Sequence, residues 1–173
     1  ATFPRLDVYG ASVRGNMLKG VVSLEAGYYD SREDRSGNDP LVPNSQVRFL
    51  AGYEQELVTD LTVGGQYYVE HMIDYDSYRT TLPSGMAPSD EDRHMLTLRL
   101  TWLALHQNLR LSLFTFYSPS DNDTYLRPTA YYRINDHLSA SIGANMFTGR
   151  SERTFFGQFE DAANVYASLR YGF

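Results

Sequence analysis

One period runs through this sequence, and it is a period of two. In residues 164–173, reading NVYASLRYGF, Val165, Ala167, Leu169, Tyr171 and Phe173 fall on one side. Asn164, Tyr166, Ser168, Arg170 and Gly172 fall on the other. Such alternation places successive side chains on opposite faces of an extended strand. It predicts eight further strands, over residues 6–14, 17–30, 46–57, 61–78, 95–106, 109–117, 125–134 and 138–147. Turns are expected at Gly15-Asn16, 58–60, 107–108 and 135–136, where Gly, Asn and Asp collect. Longer polar loops are expected at 31–44, 79–93 and 148–163, and a short loop at 118–123. No stretch favours a 3.6-residue repeat, so no helix is predicted. The fold class is all-β and antiparallel.

The faces differ in kind. One carries Leu24, Phe49, Val69, Leu98, Leu100, Leu113, Ile142 and Leu169. The other carries charge. Arg99, Arg110, Arg127, Arg133 and Arg170 come from the later strands, and Glu25, Glu54, Glu56, Glu70 and Asp74 from the earlier ones, with Lys19 and Arg48 as exceptions. Mean hydropathy is −0.41, and no run approaches the ~20 apolar residues of a membrane helix. A β-barrel escapes that test, because only alternate residues face lipid.

These features resemble a bacterial outer-membrane β-barrel of porin type. The likeness rests on the terminal Phe173, with Tyr171, Leu169 and Val165 alternating before it, and on strands joined alternately by short turns and longer loops. It implies an antiparallel transmembrane β-barrel in the Gram-negative outer membrane, with the lipid bilayer as its surroundings. It also implies a channel for small polar or anionic solutes in which no residue is catalytic. The charged residues above would line the pore, and Trp102, Tyr132, Tyr171 and Phe173 would lie at the membrane interface. Neither a cofactor nor a metal is expected.

Nine strands raise a question of parity, since a complete bacterial barrel has an even number. The first reading makes this chain the C-terminal part of a larger barrel, closed by further chain segments. The other takes residues 17–173 as an eight-stranded barrel, with residues 1–16 as an extra strand or extension. Homo-oligomerisation would be compatible with either. The sequence opens at Ala1 without a leader pattern, as in a processed chain or a fragment.

Three rival readings follow from the same residues. A narrow barrel would fill with salt-bridged side chains and act through its loops. A soluble β-sandwich would bury the apolar face against a second sheet. A hydrolase would use the VEHMIDYDSY segment, with Glu70, Asp74 and Asp76 on one face and His71 on the other. The net charge of −6 argues against general nucleic-acid binding. The absence of cysteine excludes disulfides and thiolate metal sites.

Overall fold

A computed structural model describes residues 4–152 and 154–173. Nine antiparallel strands form a single sheet in strict sequence order. They are β1 Leu6–Met17, β2 Gly20–Ser31, β3 Gln46–Val58, β4 Leu61–Met72, β5 Asp92–Ala104, β6 Leu109–Ser118, β7 Asp123–Arg133, β8 Leu138–Thr148 and β9 Asn164–Tyr171. Two short helices interrupt the loops, α1 at Tyr75–Thr81 and the 3-10 helix η1 at Gly157–Ala162.

Every strand pairs with its sequence neighbour, so the register can be followed across the sheet. One row runs Leu61, Trp102, Leu111, Ala130, Ile142, Ala167. Another runs Val13, Leu24, Ala51, Tyr67, Leu96, Tyr117. Both belong to one apolar face. No second sheet or helix layer covers it among the described residues, and Leu98, Trp102, Ile142, Val165 and Leu169 are all exposed. Among the described residues the buried hydrophobic ones are only Met95 and Ala144. A soluble domain of this size would bury far more apolar surface.

The sheet is open rather than closed into a barrel. β1 pairs only with β2, and β9 only with β8. Strict antiparallel order explains this, because β1 and β9 run in the same direction and cannot join as an antiparallel pair. Residues 6–17 are paired along their whole length, from Leu6 opposite Ser31 to Met17 opposite Gly20.

Three local expectations are corrected. The first turn lies at Leu18-Lys19, not Gly15-Asn16, since Gly15 pairs with Val22 and Asn16 with Val21. Lys19 therefore belongs to a turn and to neither face. Gly20 makes the shifted turn possible, because a side chain there would collide with the Glu54 carbonyl oxygen. The strand expected over 61–78 ends at Met72, and α1 follows. Its start is Asp74 in the left-handed region at φ 57, with no side-chain cap. Helix α1 buries no residue, so it lacks the apolar stripe that gives a helix its period in sequence. Tyr75, expected high on a strand, lies on α1.

Candidate functional site

The polar face is the candidate site, and cross-strand register assembles it. Glu54, Gly64, Arg99, Phe114 and Arg127 form one continuous row over β3 to β7. Arg133, Ser139 and Arg170 form another at the short-turn end. Glu25 lies opposite Ser12 and Leu50. The expected lining residues thus share a face, apart from Asp74, which stands beyond the end of β4.

Several arginines rest on aromatic rings. The Arg48 guanidinium lies 3.9 Å from the Tyr29 ring centroid, Arg110 5.1 Å from Tyr131, and Arg99 5.9 Å from Phe114. Stacking fixes the plane of a guanidinium and leaves its edge free to donate hydrogen bonds. Arg133 is held differently. Its Nε and Nη2 both donate to Asn108 Oδ1, at 3.0 and 2.8 Å.

Near the long-loop end the charges are paired. Glu70 stands between Arg48 and Arg93, with Oε1 3.4 Å from Arg48 Nε and Oε2 3.7 Å from Arg93 Nη1. The Tyr68 hydroxyl donates to Glu70 Oε1 at 2.7 Å. Arg93 Nε continues the chain by donating to Asp121 Oδ2 at 2.7 Å. Glu70 is only 18% exposed at its side chain, so these partners offset its desolvation.

An aromatic cluster gathers at this end. Phe116, Tyr125 and Phe147 lie in one row of the polar face. Phe156, from the loop between β8 and β9, packs 4.7 Å from Phe116 and 5.4 Å from Tyr125. Phe159 adds to Phe147 at 5.7 Å. The last loop therefore folds against the polar face. The signal was available: Phe114 and Phe116 carry the polar parity of β6, between Ser112 and Ser118.

Between this loop and the one following α1 lies a cavity of about 960 Å³. Glu70, Arg93 and Asp121 line it, with Arg150 and Phe155 from one loop and Met86 from the other.

Aromatic residues also edge the apolar face. Trp102, Tyr132 and Tyr171 are exposed toward the short-turn end, and Phe173 follows β9 in the open. Toward the long-loop end, Tyr9 stacks with Tyr28 at 6.5 Å. There Tyr67 meets His94 in a 2.6 Å hydrogen bond.

His71 meets Asp92 at 2.8 Å on an exposed strand end. Among the described residues no hydroxyl bonds to the His71 ring, and no group of three His, Cys, Asp or Glu is arranged to hold a metal. No helix is long and apolar enough to cross a membrane, which says nothing about crossing by strands.

No family model, curated protein or solved structure matches this chain.

Proposed function

We propose that this sheet forms part of the wall of an outer-membrane β-barrel channel, with its apolar face toward lipid and its polar face toward an aqueous path. The observation that carries the reading is the division of faces, kept through all nine strands, with nothing among the described residues covering the apolar side. Lipid would supply the cover. The strands, mostly 10 to 13 residues long, meet the ~9–11 residues that a tilted crossing strand needs. Further strands, odd in number, would complete an even barrel and satisfy the open edges of β1 and β9.

In such a channel the passage suits small polar or anionic solutes. Arg99, Arg110, Arg127, Arg133 and Arg170 make the β5–β9 side basic, while Glu25, Glu54 and Glu56 make the β2–β3 side acidic. The resulting transverse field orients a solute without any chemical step. The test is conductance of the protein in a planar bilayer under a salt gradient. A conducting pore whose ion preference shifts toward cations in Arg99→Glu/Arg127→Glu supports the reading. Unchanged selectivity would remove these residues from the lining, and no conductance would remove the channel.

One observation favours a second reading, a filled barrel that acts through its loops. Phe156 packs on Phe116 and Tyr125 at the polar face, as the plug of such a barrel would. The same conductance measurement separates the two.

A further inference from the structure

At the centre of the polar face, two opposite charges stand two strands apart and do not meet. Glu54 on β3 and Arg99 on β5 flank Gly64 on β4 in one row. Neither joins an ion pair among the described residues, although two inter-strand spacings amount to only ~10 Å. Their surroundings explain it. The Glu54 side chain lies over Gly64, where a Cβ would sit 3.4 Å from Oε2 and 3.5 Å from Cγ. Arg99 is drawn the other way, its guanidinium 5.9 Å from the Phe114 ring on β6.

Glu54, Gly64 and Arg99 line a depression of about 370 Å³ on this face. Glu25 and Arg14 add a second acid and base to its lining, neither in an ion pair among the described residues. Gln66 and Thr97 close another side, the Thr97 hydroxyl donating to Gln66 Oε1 at 3.2 Å. A singly charged solute can satisfy only one side of such a site. A short zwitterion presents an ammonium group to the carboxylate and a carboxylate to the planar donor fork of arginine, satisfying both.

We propose that this depression is a binding site for small zwitterions, of the amino-acid class, whose ammonium and carboxylate are separated by a few carbons. Glu54 receives the cationic end and Arg99 the anionic end, and Gly64 lets the Glu54 side chain lie low between them. The inference rests on the polar face being the water-filled side of the channel, and it gives that passage a preferred solute class.

The probe is 4-aminobutanoate, with butanoate and butylammonium as its singly charged counterparts, titrated against the detergent-solubilised protein by calorimetry. The expected result is binding at least about tenfold tighter for 4-aminobutanoate than for either counterpart, the scale of one charge-assisted hydrogen bond. Glu54→Gln should erase its advantage over butanoate, and Arg99→Met its advantage over butylammonium. Gly64→Val should abolish binding by pushing the Glu54 side chain out of place. Gly64→Ala, whose Cβ meets only ordinary contacts, should fold normally and weaken binding less. Equal affinity for the zwitterion and butanoate, or an unchanged preference in Glu54→Gln, would overturn the proposal. Conductance without zwitterion preference would defeat this inference alone. Zwitterion binding by a protein that does not conduct would defeat the channel reading and leave the site standing.

Discussion

The backbone N–H of Phe156 donates to the Asp123 carboxylate at 2.8 Å, tying the last loop to the first residue of β7. Asp123 is fully buried, opposite the equally buried Ser118. Its Oδ2 holds the loop, while Oδ1 has no partner within the described residues. The bond helps set Phe156 against Phe116 and Tyr125, so this carboxylate anchors the loop at Phe156.

Replacing Asp123 by Ala should cost about 1–3 kcal/mol, because a partly buried N–H loses its acceptor. Asp123→Asn keeps an acceptor oxygen and should lose less. The readout is tryptic cleavage at Arg150, faster in Asp123→Ala than in Asp123→Asn or the unaltered protein. Equal cleavage of all three would mean that the loop is held elsewhere.

The chain Arg48–Glu70–Arg93–Asp121 predicts a second effect. Glu70→Ala removes the carboxylate between two partly covered guanidiniums and should cost about 1–3 kcal/mol, with Glu70→Gln intermediate. Thermal unfolding in detergent measures it. The loss should shrink at high salt, where the wild-type attraction is screened.

Acid should loosen the loop between β2 and β3 before the sheet. The Asp39 N–H donates to Asp34 Oδ2 at 2.6 Å. That bond chiefly holds the Asp34 carboxyl below its ordinary value, assisted by the Ser36 hydroxyl. A depressed carboxyl stabilises the fold at pH above its unfolded pKa of about 3.9. The contribution is lost as pH falls through the lower, folded value. Amide exchange within residues 32–45 should therefore rise selectively below about pH 4, and Asp34→Asn should abolish that dependence.

Parity along β6 predicts opposite tolerance at adjacent positions. Leu113 lies between Leu100 and Pro128 on the apolar face, and Ser112 between Thr101 and Thr129 on the polar one. In a bilayer, Leu113→Arg should cost about 2–4 kcal/mol near the midplane, while Ser112→Arg should be close to neutral. Urea unfolding from lipid vesicles compares them, and equal costs would contradict the assignment of faces.

Much of this was legible before the structure, because a period of two determines which residues share a face once strands pair in order. Glu54, Arg99 and Arg127 could be placed on one face from parity alone. Their positions in a single row could not, since register depends on where each turn falls, and the first turn sits at Leu18-Lys19. Helix α1 was invisible because none of its residues is buried. The docking of Phe156 is not legible in sequence, because it depends on Asp123, more than thirty residues earlier in the chain. The odd strand count implied the direction shared by β1 and β9 but left a closed eight-stranded barrel over residues 17–173 as an alternative, and the open sheet departs from it.

The most direct test uses the absence of cysteine. Single cysteines at 96 to 101 on β5, each carrying a nitroxide, would be scanned by electron paramagnetic resonance with the protein in a lipid bilayer. The account predicts alternation: high accessibility to oxygen at Leu96, Leu98 and Leu100, and high accessibility to a water-soluble nickel chelate at Thr97, Arg99 and Thr101. Equal access of the chelate to both sets would contradict a membrane-spanning sheet with one face toward lipid.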